Sequence, residues 1–543
     1  MTDQKHPYLL KRLERINSIG IALSAERDNN CLLEMILLGA KEVTNADGGT
    51  LYTVTDDKCL KFEIMSNKTL NIAMGGTTGK EIPFLPLPLY LEDGSPNLST
   101  VAAYAALNDQ TVNIENAYEA KNFDFTGTRK FDEKTGYHSQ SFLTIPMKNH
   151  EAEVIGVLQL VNAIDLDTQE IIPFSAANQS LVESLASQAA VALTNHNLIE
   201  GLKGLFEAFI ELMAEAIDQK SPYTGGHCRR VPELTMMLGQ AAIDAKTGPL
   251  KDFTLNEKEF YELKIAGWLH DCGKVTTPES VMDKPTKLSS IFDRIELVDQ
   301  RFELLKQQAE CESLKKQLVA LKNHQQDKAS ILEAELEAFK LKCNADRHFL
   351  RKSNFGSEYM TSEDQQRVSD IAAVSMMGPD GHAVAFLSEN EVYNLSIVSG
   401  TLTAEEREVI NNHIVVTINM LDSLPYPEGL KRVPEYACGH HERMDGRGYP
   451  KGLTREQMSI PARIMGIADI FEALTSKDRP YKKAKTLSES LHILGKMKLD
   501  HHIDPDLFDL FVREKIYLKY ALQFLESEQI DEVDETKIPG YQA

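Results

Sequence analysis

Phe260-Tyr-Glu-Leu-Lys-Ile-Ala-Gly-Trp-Leu-His270-Asp271-Cys-Gly-Lys274 decides how the second half of this chain is read. The run from Phe260 to Leu269 has a helical pattern with one apolar side. Such a helix carries His270 and Asp271 toward an interior, where an unpaired carboxylate is costly. A bound cation resolves that cost. A His-Asp pair alone is commonplace on an exposed helix. Trp268 and Leu269 before it, and Gly273 after it, change the reading. Neutral imidazole together with carboxylate suits iron, manganese or zinc rather than calcium. Cys272 reads more simply as a small core residue.

Working outward, the chain holds 15 histidines, and further ones stand in separated elements with carboxylates nearby. They are Ser221-Pro-Tyr-Thr-Gly-Gly-His227, Asn412-His413, and Gly439-His440-His441-Glu442-Arg-Met-Asp445-Gly-Arg-Gly448-Tyr449-Pro450. Ala468-Asp469 completes the set. Five histidines and two aspartates match the ligand count of a dinuclear site. The carboxylate of Asp271 can bridge two ions through its two oxygens. Two ions about 3.5–4 Å apart can ionise a water and hold a phosphoryl oxygen, which is the chemistry of phosphodiester hydrolysis.

The whole chain bounds this reading. Its 543 residues allow about three to five domains at roughly 100–200 residues each. Hydrophobic residues at 42% and charged residues at 26% are ordinary for a globular protein and exclude disorder throughout. The balance of 58 basic to 81 acidic residues, net −23, repels a polyanion, so long nucleic acid is not an expected partner. Cysteines 31, 59, 228, 272, 311, 343 and 438 are odd in number and lack CxxC spacing, which argues against a disulfide framework and a cysteine-rich zinc site. No apolar stretch approaches the ~18 residues that span a bilayer. The opening Met1-Thr-Asp-Gln-Lys-His lacks an apolar signal core, and a cytoplasmic protein without a membrane partner is expected.

Residues 8–45 read as helical, with Leu9, Leu10, Leu13 and Ile16 on one face. Leu51–Val54, Ser141–Met147 and Val154–Asn162 read as strands, the last two joined by the polar hairpin connection Lys148–Glu153. A sheet with flanking helices is the expected packing for residues 1–173. Residues 174–220 form a long connecting helix. Leu185, Ala192, Ile199, Phe206 and Met213 recur every seven residues along it, and the imperfect companion row is Ala189, His196, Lys203, Ile210 and Ile217. That seam favours parallel pairing of two such helices, hence a homodimer. Residues 221–288 and 400–520 read as the two parts of one helical domain. Between them, 289–399 reads as an insertion with a helical hairpin turning at His324–Ser330 and a second turn at Gly378-Pro-Asp-Gly381. Residues 521–543 read as an acidic tail, with Glu526–Thr536 expected to be frayed.

His270-Asp271-x-Gly-Lys274 with His440-His441-Glu442-x-x-Asp445-Gly-x-Gly448-Tyr449-Pro450 resembles the HD-GYP phosphodiesterases, all-helical members of the HD superfamily that hydrolyse cyclic di-GMP. The resemblance implies metal ligands at His227, His270, Asp271, His413, His440, His441 and Asp469. It implies two divalent ions, iron or manganese. It places Lys274 beside the metals, next to the bridging Asp271, where it helps the phosphate or the leaving oxygen. Asp469-Ile-Phe-Glu-Ala-Leu-Thr-Ser-Lys-Asp-Arg479-Pro-Tyr-Lys482 matches the family's basic segment, so Arg479 and Lys482 would bind substrate phosphates. Lys482 also reads as part of a plain basic patch with Lys483 and Lys485. The Gly448-Tyr449-Pro450 loop reads mainly as scaffolding, with an implied role in contacting diguanylate cyclases. Two departures stand out. Some members carry a glutamate four residues before the first histidine and hold three metals; Tyr223 stands there, which favours two. The insertion is the other, a lid or an extension of the dimer, tolerable if its ends stay close.

Residues about 20–200 resemble a GAF domain through Phe131-Asp-Glu-Lys-Thr-Gly-Tyr137, Ser141–Met147 and Ile155–Asn162. A small-molecule ligand or a ligand-free dimerisation role are both open for it. The expected protein is therefore an α+β multidomain chain, with a GAF sensor, a connecting helix and an all-α HD-superfamily domain. Its expected function is metal-dependent hydrolysis of cyclic di-GMP to pGpG or GMP under GAF control. The alternatives are a same-superfamily hydrolase acting on another cyclic dinucleotide or nucleotide, and a non-catalytic signalling protein.

Overall fold

The computed structural model describes residues 5–220, 226–356, 359–477 and 484–542. Helices α1 (Lys5–Ala25) and α2 (Asn29–Thr44) open the chain. They are two helices rather than one because Asp28 caps α2, its side chain accepting from the Cys31 amide at 2.8 Å. Ile16 is buried; the side chains of Leu9, Leu10 and Leu13 lie outside the described residues.

Strands β1 (Ala46–Val54), β2 (Cys59–Asn67), β3 (Ile72–Gly75) and β4 (Leu87–Pro88) follow. Then come α3 (Val101–Asn108), β5 (Val112–Ile114), α4 (Thr126–Thr135), β6 (Phe142–Lys148), β7 (Val154–Ile164) and β8 (Ile171–Ile172). The sheet runs β3-β2-β1-β7-β6-β5, with β4 beside β2 and β8 beside β7. All its pairings are antiparallel. The expected hairpin is β6–β7, with Leu143 opposite Leu160. Alternation divides the sheet between two cores. Leu51, Leu158 and Leu160 face α1, α2 and the long helix α5 (Ala176–Lys220). Tyr52, Leu60 and Val157 face α3.

The chain divides into two compact units, Met1–Leu205 and Phe206–Ala543, so the boundary falls inside α5. Of the heptad row expected on that helix, Leu185 is buried, Ala192, Phe206 and Met213 are half-buried and Ile199 is 64% exposed; His196 of the companion row is half-buried and Lys203 exposed. Leu185, Ala189, Ile210 and Ile217 are all buried in the cores of their own units.

The second unit begins with α6 (His227–Asp244), α7 (Glu257–Leu269) and the short α8 (Glu279–Met282). Helices α9 (Ile295–Lys322) and α10 (Gln326–Asn354) form a hairpin. Its turn falls at 323–325, earlier than expected, because the polar 326–330 stretch winds into α10. Next are α11 (Ser362–Ala372), β9 (Ser375–Met377), β10 (Ala383–Ala385) and α12 (Glu389–Leu395). The Gly378–Gly381 turn joins β9 to β10, with Gly378 N donating to His382 O at 2.8 Å. This segment has its own apolar core around Val298, Phe302, Leu350 and Phe386. Its ends meet where the Thr401 hydroxyl donates to Lys284 O at 2.9 Å.

Helices α13 (Ala404–Asn411), α14 (His413–Asp422), α15 (Val433–Cys438) and α16 (Ile460–Thr475) resume the domain. They are followed by α17 (Leu487–Leu499), α18 (Pro505–Arg513) and α19 (Ile516–Phe524). Leu234 and Leu238 of α6 pack with Ile467 and Phe471 of α16 and with Phe508 and Phe511 of α18. The tail is docked rather than frayed. Gln529 donates to Thr475 O at 2.7 Å, Ser488 N donates to Asp531 at 2.9 Å, and Ile538 is buried in the same core. Glu526, Glu528, Glu532 and Asp534 are exposed, while Gln529, Asp531 and Ile538 anchor it. Among the described residues no helix is long and apolar enough to cross a membrane.

Candidate metal centre

Three of the histidines sit just past the end of a short helical segment. The last carbonyls of a helix lack intrahelical partners. His270 Nδ1 meets Gly267 O at 2.7 Å, His440 Nδ1 meets Ala437 O at 2.6 Å, and His413 Nδ1 meets Ile410 O. Each contact joins a ring to the carbonyl three residues back. A carbonyl only accepts, so each Nδ1 carries a proton, and in the neutral form of the ring Nε2 presents the lone pair.

Those lone pairs converge. His227, His270, Asp271 and Asp469 form one group, and Asp271, His413, His440 and His441 form another; within each, the ligand atoms lie within 4.8 Å of one another. Asp271 belongs to both. Its Oδ2 lies 3.2 Å from His227 Nε2 and 3.2 Å from His270 Nε2, and its Oδ1 lies 3.3 Å from His413 Nε2. Asp469 Oδ1 lies 3.3 Å from His227 Nε2. His413 Nε2 and His441 Nε2 are 3.1 Å apart. Two nitrogens bound to one cation at about 2.0–2.1 Å would stand about 3 Å apart. All seven residues that the sequence nominated as ligands are therefore brought together.

The donor set fits divalent cations. His270 Nε2, His440 Nε2 and Asp271 Oδ1 are buried without any hydrogen-bond partner. Acceptors facing acceptors in a buried space are costly unless a cation lies among them. Burial, reinforced by His270, pushes the His440 imidazole down to about 4, and burial with His440 lowers His441 well below its ordinary range. Both rings are thus neutral, the form that binds a metal. Burial opposes charge on Asp271, but Lys274 and His270 outweigh it and hold the carboxyl well below its usual range. Lys274 Nζ stands 2.5 Å from Asp271 Oδ2, and the pair keeps the amine protonated despite burial. Cys272 and Cys438 lie in the apolar core nearby, and burial pushes their thiols up to about 11 and about 12. Neither joins a ligand group.

Gly273 shows how tightly the segment is held. A Cβ there would lie 2.1 Å from His413 O and 2.6 Å from Thr417 N, so only glycine lets the His-Asp turn pack on the start of α14.

Two carboxylates missed by the sequence reading support the site. Glu472, 1% exposed, accepts from His227 Nδ1 and, at 2.7 Å, from Arg230 Nε. It thereby turns His227 Nε2 toward the aspartates, as outer carboxylates do for metal-binding histidines. An acidic residue three positions after Asp469 on an otherwise apolar helix is the signal that could have found it. Asp218, near the end of α5, accepts from Gly226 N at 3.0 Å and from Cys228 N at 3.4 Å, on either side of His227. Lys220, the last residue of α5, donates to Val275 O just after Lys274.

In the loop after His441, Glu442 is a clamp, accepting from Lys451 N at 2.8 Å and Leu453 N at 2.9 Å. Asp445 pairs with Arg443 at 3.0 Å, away from the ligand groups. The Tyr449 ring stacks on His441 at 4.8 Å. A cavity of about 510 Å³ opens beside the centre, lined by His440, His441, Tyr449 and Asp469 and by the cations Arg443, Arg447 and Lys485. Arg479, Lys482 and Tyr223 lie outside the described residues.

With this geometry in hand, the comparisons are specific. Residues 28–193 match the GAF domain family and residues 387–507 the HD domain family. The HD match contains His413, His440, His441 and Asp469 but begins after His227, His270 and Asp271. A 3'3'-cGAMP-specific phosphodiesterase of Vibrio cholerae is 40% identical over 99 residues, 18% of this chain and 22% of the relative. A cyclic di-GMP phosphodiesterase of Pseudomonas aeruginosa is 38% identical over 129 residues, 24% of this chain and 30% of the relative. One of Thermotoga maritima is 34% identical over 126 residues, 21% of this chain and 34% of the relative. The chain thus spans about a third or less of the length of these curated relatives. It carries a GAF domain followed by an HD domain.

Proposed function

We propose that the chain is a metal-dependent phosphodiesterase that hydrolyses cyclic di-GMP to pGpG, and on to GMP if a second ester is cut, with the GAF domain regulating it. The single observation that carries this reading is the pair of ligand groups sharing Asp271 beside a cavity of about 510 Å³. Ligand pockets for small molecules are of about that size, roughly 300–1,000 Å³.

His227, His270, Asp271 and Asp469 would hold one divalent ion, and Asp271, His413, His440 and His441 a second; the mixed imidazole and carboxylate donors suit iron, manganese or zinc, and the resemblance to the HD-GYP phosphodiesterases narrows this to iron or manganese. Two such ions supply a water nucleophile at neutral pH and charge neutralisation at the phosphoryl oxygens. The chain's own residues do the rest. Asp271 spends one oxygen on each group and so sets their spacing. Lys274, protonated beside it, would steady negative charge on the departing 3' oxygen as the P–O3' bond breaks. Arg443, paired with Asp445 and Asp500, lines the cavity together with Arg447 and Lys485, and Arg479 and Lys482 would add to them at the substrate phosphates. In this reading the enzyme is a homodimer, the GAF domain takes a small-molecule ligand, and the Gly448-Tyr449-Pro450 loop meets a diguanylate cyclase.

A second reading, hydrolysis of 3'3'-cGAMP, is favoured by relatives of both names at similar identity, 40% and 38%. The test is a hydrolysis panel of cyclic di-GMP, 3'3'-cGAMP and cyclic di-AMP with the full chain loaded with iron or manganese. Cyclic di-GMP should turn over fastest. Asp271→Ala should abolish turnover and lower the metal content. No turnover of any cyclic dinucleotide by a fully loaded protein would sink the enzyme reading, and survival of turnover in the variant would sink the shared role of Asp271.

A further inference from the structure

Two arginines line the cavity beside the metal centre without belonging to either ligand group, and they differ in what their guanidinium groups already hold. Arg443 commits Nε and Nη2 to Asp445, at 3.2 and 3.0 Å, and Nη2 again to Asp500 at 2.8 Å. The closest approach of the Arg447 side chain to Asp445 is Nε at 3.8 Å, too far for a hydrogen bond, and that side chain is 79% exposed. The backbone that carries Arg447 is nonetheless fixed. Arg447 N donates to Asp445 Oδ1 at 3.0 Å. Gly446 before it has φ +77° and donates to Arg443 O at 3.0 Å. A Cβ on Gly448 after it would lie 2.4 Å from Arg443 N and from Glu442 Cα. Two glycines thus lock the tip of this loop and set one arginine, its planar fork open, in the cavity wall.

The charges around Arg447 select the group it would bind. Arg443 and Arg447 are matched by Asp445 and Asp500, so this part of the wall has no net charge to offer a phosphate. A neutral group with two adjacent acceptors is the better match. Guanine presents that pair, O6 and N7, on one edge, and an arginine donating to both is the commonest specific contact to this base. Adenine carries an amino donor where guanine has O6, and a guanidinium can only donate to it. Lys485, a compact point charge in the same wall, lacks the fork that fits the edge. We propose that Arg447 reads a guanine base of the substrate, donating through two N–H groups of its guanidinium to O6 and N7. This deepens the cyclic dinucleotide reading above and rests on it: the ester lies at the ligand groups and a base reaches the loop tip. One guanine suffices, so cyclic di-GMP and 3'3'-cGAMP are both substrates and cyclic di-AMP is disfavoured.

The test measures kcat/KM of the manganese-loaded full chain with cyclic di-GMP, 3'3'-cGAMP and cyclic di-AMP, before and after Arg447→Gln. Glutamine makes the matching pair of hydrogen bonds to adenine N6 and N7. The preference for cyclic di-GMP over cyclic di-AMP should therefore fall by about 5–150-fold, the discrimination that one bidentate base contact supplies, and the change should lie mainly in KM. Lys485→Gln should slow both substrates alike and leave their ratio unchanged. The exposed side chain of Arg447 contributes nothing to the core, so circular dichroism and metal content should match those of the unmodified chain. A ratio that Arg447→Gln leaves unchanged, or that Lys485→Gln lowers as much, overturns the base-reading role and leaves the hydrolase standing. So does an unmodified chain that turns over cyclic di-AMP as well as cyclic di-GMP. A loaded chain that turns over no cyclic dinucleotide overturns both.

Discussion

Glu472→Gln isolates a residue that binds no ion in the arrangement above and yet orients one that does. The carboxylate is 1% exposed and receives hydrogen bonds from His227 Nδ1 and Arg230 Nε. Burial alone would raise its pKa, and His227 with Arg230 reverse that, so it is ionised. Glutamine keeps the volume but points an amide N–H₂ at one of these two donors. His227 then gains by moving its proton to Nε2, which faces Asp271 and Asp469. Loss of an outer partner of a metal-binding histidine weakens metal affinity or activity by about 10–100-fold, or about 1.4–2.8 kcal/mol. The loss should fall on the group of His227, His270, Asp271 and Asp469 and spare the group containing His413, His440 and His441. Calorimetric titration of manganese into the metal-stripped full chain should therefore show one of two affinities weakened. Thermal unfolding checks the fold, and Glu472→Asp should restore part of the lost affinity. Both affinities within about twofold of the unmodified chain would refute the orienting role.

Two further outcomes are expected. Two alanines inserted after Leu198 advance the helix by about 200° and 3 Å, break the heptad, and change the phase reaching Asp218 and Lys220. Activity of the full chain should fall about fivefold or more, the scale of ordinary coupling between sites, and an unchanged rate in a hydrolysis assay would disprove transmission through the helix. Lys287 donates to Ile397 O at 2.7 Å and Leu395 O at 3.0 Å, and burial pushes its ammonium from 10.5 down to about 8. Between those values the unfolded chain binds more protons, so this group makes stability rise with pH, fully above 10.5 and lost as pH falls through 8. Urea titrations at pH 8 and pH 10 should show the unmodified chain gaining on Lys287→Met by on the order of 1–3 kcal/mol; parallel behaviour would show that the amine is not desolvated.

Local patterns were legible because their physics is local. The apolar alternation in Leu143–Met147 and Val154–Leu160, with a polar break between, leaves a hairpin as the way to bury one face. The run ending in His270-Asp271 announces a buried cation site because an apolar helix cannot otherwise carry a carboxylate inward. The long connecting helix was equally plain from its seven-residue rows.

Which face of that helix stays in solvent was not legible, since apolar residues lie on several faces and only the packing of each unit's core covers Leu185 and Ile210 while leaving Leu198, Ile199 and Leu205 bare. The same holds for the tail, whose acidic composition conceals the few contacts made by Gln529 and Asp531. Residue types alone could nominate His227, His270, Asp271, His413, His440, His441 and Asp469. The division of the two Asp271 oxygens between two groups, and the hold of Glu472 on His227 across 245 positions, exist only after folding. Ligand identity is chemistry written in side chains, whereas ligand direction is set by distant backbone carbonyls and carboxylates that the chain must first bring into contact.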